Sequence, residues 1–347
     1  MSSIPKVAVV ILNWNGLAHL QQFLPSVLSS TYQNLDIVLG DNGSTDGSVA
    51  FVQSRYPTIR IIENKQNYGF TGGYNRVLQQ VEADYYILLN SDVEVTPGWI
   101  EPVISLMESD DKIAAAAPKI RSYTQKQYFE HAGAAGGFID SFGYPFCRGR
   151  MFYEVEEDMG QYNESGEVFW ASGAALFIKK KYWDESGGFD ERFFAHMEEI
   201  DLCWRLKNMG YKVMYCAQST VYHLGGGTLN AENPLKTYLN FRNNLLLLKK
   251  NLPFGRATLV IGTRFWLDFI ALGRFLTEGK RKDAWAVSKA HQNFARHLFV
   301  SPKVRKSESP EGNLSSTLTG MYKGCIVFDF FVKKKRKYSD LDDSCFL

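Results

Sequence analysis

The feature that most constrains the fold is an alternation of short apolar runs with helical patterns over the first hundred residues. The apolar runs are VAVVIL, LDIVLG, IRIIE and YYILL, which begin at Val7, Leu35, Ile59 and Tyr85. Between them, as in segment 20–28, apolar residues recur at the three- and four-residue spacing of a helix with one buried face. This alternation predicts right-handed crossovers and an α/β fold, a mostly parallel sheet flanked by helices.

Each of the four runs ends in a polar or glycine-rich loop. In chain order the loops read NWNG, DNGSTDGS, NKQNYGFTGGYN and NSDVEV. Because ligands of such sheets bind beyond the carboxyl ends of the strands, the four loops are expected to line one rim. The second loop is also compatible with a plain capped turn, and the third fits neither the Walker pattern nor GxGxxG.

Asp92 follows the fourth run, and His223 ends a later run, STVYH, in front of three glycines. A carboxylate at a strand end can hold a hard divalent cation that bridges phosphate oxygens, and a histidine there can be a further ligand. Both residues also have a structural interpretation. Asp92 can belong to an ordinary turn before a helix that starts near Pro97, and His223 can be a hydrogen-bonded structural residue.

Glu198, Glu199 and Asp201 form a dense acidic cluster within one helical turn of HMEEIDLCWRLKNMGY. Such a cluster can supply a general base that deprotonates a hydroxyl group. The alternative is a solvated helix face on which Asp201 and Arg205 form an i, i+4 ion pair while the apolar side chains pack inward.

From about residue 240 the composition changes to long helical patterns rich in basic residues. Residues 242–347 carry 20 lysines and arginines against 9 acidic residues, whereas residues 1–241 carry 19 against 28. The runs GKRK and KKKRK, with Trp266 and its neighbouring aromatic residues, predict a helix that lies on an anionic membrane surface. The alternatives are that these apolar side chains pack against the rest of the chain and that KKKRK is a solvated tail.

No stretch has the roughly 18 to 20 uncharged apolar residues that a membrane span needs, and no signal peptide is recognisable at the start. The five cysteines are far apart and form no CxxC pair. We therefore expect a protein of the reducing cytoplasm.

The order of these motifs resembles the family-two glycosyltransferases of GT-A fold, in particular their rhamnosyltransferase-like branch. Over residues 7–228 the series reads VVILNWNG, DNGSTDGS, NYGFTGGYNR, LLNSDVEV, SGAALFI, GGFDERFF, EEIDLCWRL and VYHLGGGT. With the change in composition, the resemblance implies a GT-A catalytic domain over residues 1–240 and a basic, largely helical extension over 241–347. It implies inverting transfer of a sugar from a UDP- or dTDP-sugar to a saccharide or polyprenyl-linked acceptor in surface polysaccharide synthesis.

The resemblance also assigns the donor site by position. Asp92 would bind a divalent cation, Mg²⁺ or Mn²⁺, together with His223 and with Asn90, which replaces the first aspartate of the family's Asp-x-Asp motif. An amide oxygen can coordinate a metal but brings no charge, so metal affinity is expected to be weaker. Asp41 would contact the uracil or thymine base. The other donor-binding residues would be Asn13, Asn15, Asn67, Gly72, Gly73 and Gly173.

Glu199 occupies the position of the family's aspartate base and has one extra methylene group, which moves the carboxylate by roughly an ångström. Glu198 is the alternative base, and Asp201 would be a structural helper. The departing diphosphate needs its charge neutralised more than it needs a proton, so one carboxylate base suffices. The expected location is cytoplasmic, on the inner face of the cytoplasmic membrane, with no nucleic-acid partner.

Two other functions stay open. A sugar-phosphate nucleotidyltransferase would share the sheet and the metal carboxylate, although the first loop lacks the basic residue that its phosphate loop needs. An inactive sugar-binding scaffold protein would explain why Asn90 and Glu199 depart from the family motifs. Release of sugar, of pyrophosphate or of neither from nucleotide sugars would separate the three functions.

Overall fold

The structure is a computed structural model that describes residues 4–131, 133–225, 233–298 and 318–347. Its strands are β1 (Val7–Asn13), β2 (Leu35–Asp41), β3 (Arg60–Glu63), β4 (Tyr85–Asn90), β5 (Val93–Val95), β6 (Ile113–Ser122), β7 (Gly137–Asp140), β8 (Pro145–Cys147), β9 (Arg150–Met151), β10 (Glu154–Val155), β11 (Gly166–Glu167), β12 (Ala175–Lys179), β13 (Lys212–His223) and β14 (Met321–Tyr322). Its helices are α1 (Leu17–Leu28), α2 (Ser48–Arg55), α3 (Gly69–Leu78), α4 (Glu101–Glu108), α5 (Lys180–Ser186), α6 (Glu198–Asn208), α7 (Pro234–Asn251), α8 (Phe254–Thr277), α9 (Arg281–His297) and α10 (Ile326–Phe331).

The main sheet has the order β11-β13-β6-β12-β4-β1-β2-β3, and β5 pairs with β13. Strands β4, β1, β2 and β3 are parallel, as the alternation in the sequence predicts. The other half of the sheet is mixed, because β12 runs antiparallel to both β4 and β6. The predicted parallel arrangement is therefore confirmed for the four strands of the first hundred residues.

Helices cover both faces of this sheet, which explains why its strands read as continuous apolar runs. Along β1, Ala8 and Val10 belong to one buried cluster, whereas Val7, Val9 and Ile11 belong to the cluster on the opposite face. The polar residues are left to the strand ends and the loops. The sheet is thus a rigid support whose rim carries the polar side chains.

A helix near Pro97 was expected directly after the fourth loop, and this expectation is wrong in position. Residues Val93–Val95 form the short strand β5 instead, and the helix begins at Glu101. The turn signal at TPGW is present, with the Trp99 N–H donating to the Thr96 carbonyl oxygen at 3.2 Å, but it is preceded by β5, whose pairing with β13 the sequence pattern does not reveal.

The C-terminal part of the chain packs on the rest. A second sheet has the order β10-β9-β8-β7-β14, so that β14 joins strands far earlier in the chain. Leu247, Val260 and Phe294 from α7, α8 and α9 lie in the same buried cluster as residues of the main sheet. The predicted boundary at residue 240 falls inside α7, and the division into two domains stays a prediction. Of the helices in the described ranges, none combines the length and the apolar character that crossing a membrane requires.

Candidate active site

The polar ends of the strands meet at one edge of the main sheet. The β1–β2 register pairs Asn13 with Asp41, and the β1–β4 register pairs Leu12 with Asn90. The backbone N–H of Asn90 donates to the carbonyl oxygen of Ala174 at 3.0 Å, so the chain entering β12 also reaches this edge. The rim that the four loops predict is therefore present, and we call it the donor rim, comprising residues 13–16, 41–48, 64–73, 90–92 and 172–174.

Asp41 stabilises its own loop at the donor rim. Its buried carboxylate accepts hydrogen bonds from Asn13 Nδ2 at 3.1 Å and from the backbone N–H groups of Gly43 and Ser44 at 3.1 and 2.9 Å. The Ser44 hydroxyl accepts from the Asn15 backbone N–H at 2.9 Å. Asn13 Oδ1 is buried and has no hydrogen-bond partner within the described part of the chain. Contact of Asn13 with a donor, and of Asp41 with a base, stays a prediction.

Asn42 connects the second and third loops, and the sequence analysis did not single it out. Its Nδ2 donates to Asn67 Oδ1 and to the Gly69 carbonyl oxygen, both at 3.0 Å. Its Oδ1 accepts from Asn64 Nδ2 and from the Tyr68 backbone N–H, both at 3.2 Å. The sequence feature that could have identified Asn42 is its position directly after strand β2, in a polar loop. Asn67 therefore lies at the donor rim through its bond to Asn42.

Gly72 and Gly73 lie in helix α3, and the expectation that they belong to a loop is wrong. A methyl group on Gly73 would lie 2.8 Å from the Leu12 side chain and 3.0 Å from Asn42 Nδ2, and one on Gly72 would lie 2.9 Å from Arg76 Nη1. The two glycines therefore let α3 pack closely on β1 and on the Asn42 amide. Their contact with a nucleotide stays a prediction.

Asp92 and His223 lie side by side because β5 pairs with the end of β13. His223 Nε2 is 3.2 Å from Asp92 Oδ1, and His223 Nδ1 is 3.0 Å from Glu130 Oε2. Burial alone would lower the pKa of His223, but the hydrogen bonds to these two carboxylates raise that pKa to about 10. The bond from His223 likewise outweighs burial and lowers the pKa of Asp92. Nothing in the sequence around Glu130 pointed to this contact.

Asp92 and His223 are of types that bind metals, but His223 would first have to lose the proton that its two carboxylate neighbours stabilise. A ligating histidine usually gives its second ring nitrogen to a carboxylate, and Glu130 occupies that place behind His223. Asn90 ends strand β4 two residues before Asp92 and is partly exposed. Among the described residues, no set of three or more His, Cys, Asp or Glu side chains converges as a complete ligand shell. Binding of a divalent cation by Asp92, His223 and Asn90 therefore stays a prediction.

Glu198 and Glu199 begin helix α6 and face the donor rim. Glu198 is buried, and a methyl group on Gly173 would lie 3.8 Å from both Glu199 Cδ and Phe70 Cζ. Burial raises the pKa of Glu199 to about 7, and burial together with the charge of Glu199 raises the pKa of Glu198 well above its usual range. One oxygen of each carboxyl group lacks a hydrogen-bond partner among the residues described. The solvated helix face is therefore the wrong interpretation.

Asp201 is turned away from this pair. Its carboxylate, completely buried, accepts from Arg205 Nε at 2.9 Å, from Lys250 Nζ at 2.8 Å and from Asn251 Nδ2 at 2.9 Å. The predicted i, i+4 pair with Arg205 is confirmed. Burial disfavours the charged form of Asp201, but the positive charges of Arg205 and Lys250 lower its pKa. The carboxylate therefore stays ionised and hydrogen-bonded to its partners. A structural role in holding α6 is what this geometry supports.

The model of glycosyl transferase family 2 matches residues 8–182, which include the loops of the donor rim and strand β12. The chain belongs to this family. The N-acetylglucosaminyl-diphospho-decaprenol L-rhamnosyltransferase of Mycobacterium tuberculosis is 28% identical to this glycosyltransferase over 230 residues, 62% of this chain and 75% of that protein. The O-antigen biosynthesis protein RfbC of Myxococcus xanthus is 23% identical over 228 residues, 63% of this chain and 17% of that protein.

Solved structures confirm the GT-A fold of this glycosyltransferase. GalNAc-T7 with UDP, GalNAc and Mn²⁺ superposes with a TM-score of 0.54 at 16% identity, covering 72% of this chain and 48% of that chain. The mannosyltransferase PcManGT from Pyrobaculum calidifontis with GDP-Man and Mn²⁺ superposes with a TM-score of 0.53 at 11% identity, covering 85% and 88%. At these identities the likeness concerns the fold alone.

Proposed function

We propose that this glycosyltransferase transfers a sugar, with inversion, from a UDP- or dTDP-sugar to a saccharide or polyprenyl-linked acceptor in surface polysaccharide synthesis. The observation that carries the proposal is the Glu198–Glu199 pair beside Gly173 at the donor rim. The names of two relatives support the acceptor class, since one acts on a decaprenol-linked saccharide and the other is named for O-antigen biosynthesis.

Glu199 is the general base of the proposed reaction. Its side chain is partly exposed, which gives an acceptor hydroxyl a side of approach, and the oxygen that lacks a partner within the described residues is itself buried. Its pKa of about 7 leaves a useful fraction ionised at neutral pH while keeping the carboxylate basic enough to take a proton. Attack by the deprotonated acceptor from the side opposite the diphosphate breaks the sugar–phosphate bond and inverts the anomeric centre.

Glu198 is the weaker candidate for the base. Its side chain is buried, so an acceptor would reach it less easily than Glu199. Burial and the neighbouring charge keep its pKa well above the usual range, which favours the neutral acid at physiological pH. A neutral Glu198 next to an ionised Glu199 avoids two adjacent buried charges.

Asp92 and His223 are the residues that would hold Mg²⁺ or Mn²⁺, with Asn90 contributing an amide oxygen. Glu130 would orient the ring of His223 through its contact with Nδ1. When bound, such a cation neutralises the negative charge of the departing diphosphate. The two solved structures named above contain Mn²⁺, which supports a divalent cation in this fold.

Asn13, Asn15, Asp41 and Asn67 form the donor side of the proposed site. Their side chains hold the loops in shape, and Asn13 Oδ1 is left as a buried acceptor among the described residues. A preformed rim lowers the entropy that is lost when a flexible nucleotide sugar binds. Phe70 Cζ and Glu199 Cδ would both lie 3.8 Å from a methyl group on Gly173, so the Phe70 ring and Glu199 meet at this glycine.

A membrane surface is the partner that helix α8 favours. Its charged residues Arg264 and Asp268 are buried, whereas Trp266, Phe269 and Ile270 are 75%, 66% and 68% exposed. In this middle part of α8 two charged side chains therefore face the protein while three large apolar side chains face solvent. A helix that exposes several large apolar side chains side by side is typical of helices that insert into a lipid interface.

Basic residues lie at the end of this apolar face. Lys280, Arg281 and Lys282 follow α8 and are exposed. The Arg274 guanidinium lies 5.2 Å from the centre of the Phe331 ring, so the end of α8 is next to α10 and to the run KKKRK that follows it. Each basic side chain near an anionic bilayer contributes on the order of 1 kcal/mol. A polyprenyl-linked acceptor would be met at such a surface.

Turnover of nucleotide sugars tests the proposed function. The purified protein is incubated with a panel of UDP- and dTDP-sugars and Mn²⁺ or Mg²⁺, and the products are separated by chromatography. We expect slow release of nucleoside diphosphate and free sugar, with water as the acceptor. The anomer that NMR detects first should be inverted relative to the donor. Pyrophosphate release would instead support a nucleotidyltransferase, and no release from any donor would support a sugar-binding scaffold.

A further inference from the structure

The loop that leads into helix α6 has an unusual backbone. Phe194, His196 and Met197 have φ values of 63°, 67° and 71°, in the left-handed region that L side chains rarely adopt. Met197 is the N-cap of α6, so the direction in which the helix presents Glu198 and Glu199 depends on this loop. A backbone of this kind keeps its shape only where neighbouring groups hold it.

Asn243, in helix α7, holds the loop from one side. This side chain is completely buried. Its Nδ2 donates to the carbonyl oxygens of Phe193, Ala195 and His196 at 2.9, 2.8 and 2.7 Å. Its Oδ1 accepts from Nε and Nη2 of Arg242 at 2.9 and 2.7 Å, which fixes the orientation of the amide. One buried amide thus lies within hydrogen-bond distance of three carbonyl oxygens of the loop.

The other side of the loop contacts the donor rim. The carbonyl oxygen of Phe194 accepts from the backbone N–H groups of Phe70 and Thr71 at 2.8 and 3.2 Å, at the start of α3. Gly69 has a φ of +74°, and a methyl group there would lie 2.5 Å from a ring carbon of Phe194. The loop therefore connects α7, α3 and α6 through a few short contacts.

We propose that Asn243 is a positioning residue that sets the distance between the carboxylate pair of α6 and the donor rim. The inference rests on the proposed function, in which Glu199 is the base. Lys250 and Asn251, at the end of the same helix, hold Asp201 in the first turn of α6. Helix α7 thus holds α6 at its N-cap loop and again within its first turn.

Asn243→Ala and Asn244→Ala are the matched pair of variants that tests the proposal. Asn244 is the next residue of α7, is equally buried, and its Nδ2 donates to the Gly143 carbonyl oxygen at 2.5 Å, away from the loop. Each variant removes one buried amide from the same helix and takes an acceptor from one arginine, Arg242 for Asn243 and the buried Arg264 for Asn244, so Asn244→Ala should cost at least as much stability. A merely structural role for Asn243 would give the two variants equal effects on catalysis.

The first measurement is the hydrolysis of the nucleotide sugar that the wild-type protein turns over fastest in the panel. We expect Asn243→Ala to lower kcat by about 10²-fold with KM for the donor changed by less than about threefold, because the base is misplaced while the donor rim is intact. Asn244→Ala should keep kcat within about threefold of wild type. Equal losses of kcat in the two variants, or a change confined to KM in Asn243→Ala, would overturn the proposal.

The second measurement, hydrogen–deuterium exchange, does not depend on activity. Asn243→Ala should speed exchange in residues 193–202, whereas Asn244→Ala should speed exchange near Gly143 and leave 193–202 unchanged. If exchange of residues 193–202 is unchanged in Asn243→Ala, the positioning role is refuted. This test works even if the protein hydrolyses no donor. Absence of hydrolysis would refute the proposed function, which is a separate result. If Asn243→Ala does not fold, Arg242→Ala, which removes the donors to Asn243 Oδ1, carries the same two expectations.

Discussion

Replacing Glu199 with glutamine should lower activity and raise stability at the same time. The amide cannot accept a proton from the acceptor, and loss of a general base typically costs about 10² to 10⁴ in rate. The fold should not suffer, since glutamine has nearly the same shape as glutamate. The loss of activity and the gain in stability have the same cause, because the fold holds the Glu199 carboxylate where its charge is poorly solvated.

The magnitude of the stabilisation follows from the pKa of Glu199. Burial raises this pKa from 4.5 to about 7. Well below pH 4.5 the side chain is neutral in the folded and the unfolded chain, and the two states are equally protonated. As the pH rises through 7, the unfolded chain ionises first, so the folded state loses on the order of 3 kcal/mol that it had at low pH. Glutamine never ionises and avoids this loss.

The assay compares the melting temperature and the hydrolysis rate of wild type, Glu199→Gln, Glu198→Gln and the exposed control Glu164→Gln. At pH 8 Glu199→Gln should melt several degrees above wild type, and well below pH 4.5 the difference should vanish. Glu164→Gln should change neither quantity. A lower melting temperature of Glu199→Gln at pH 8 would refute the argument from burial. An active Glu199→Gln beside an inactive Glu198→Gln would assign the base to Glu198.

Three further predictions concern pH, metal and membrane. In wild type, kcat should rise with pH and level off above an apparent pKa near 7, because activity is lost as the base is protonated; a profile that is flat across this range would contradict an ionisable base. Asp92→Ala should abolish turnover that depends on Mn²⁺ or Mg²⁺, whereas Glu94→Ala should not, and undiminished turnover of Asp92→Ala in chelator would exclude Asp92 as a ligand. The double variant Trp266→Ser/Phe269→Ser should no longer co-sediment with vesicles that contain anionic lipid. The control Met159→Ser, which changes an equally exposed apolar residue elsewhere, should still co-sediment. If the double variant and the control bind vesicles equally, α8 does not contact lipid.

Sequence patterns predicted the parts of the molecule that depend on local periodicity. The four parallel strands and the rim at their carboxyl ends follow from short apolar runs that end in polar loops, and each predicted run overlaps its observed strand closely. The acidic cluster at the start of α6 and the strand end at His223 also lie where the motifs indicate. These features need only a few neighbouring residues to be recognised.

The remaining features depend on contacts between distant parts of the chain. Glu130 meets His223 across 93 residues, and Asn243 meets the loop before α6 across about 50. No local pattern marks either residue, because each is defined by the partner that the fold brings to it. The orientation of helix α8 could not be predicted from the sequence for a related reason. Arg264 and Asp268 interrupt its apolar run in the sequence, yet in the fold they are the buried side of the helix.

The state of the carboxylate pair also bears on the choice between an enzyme and a sugar-binding scaffold. A protein that only binds a sugar gains nothing from two adjacent, poorly solvated carboxyl groups, each with one buried oxygen that lacks a partner among the described residues, and glutamine at either position would stabilise it. A base for a hydroxyl group, in contrast, needs a carboxylate that is shielded from water yet open to one substrate. Asn243 and the strained loop hold Glu199 in that environment, at a further expense of backbone strain. The arrangement therefore favours catalysis over passive binding, although Asn90 and Glu199 both differ from the family motif.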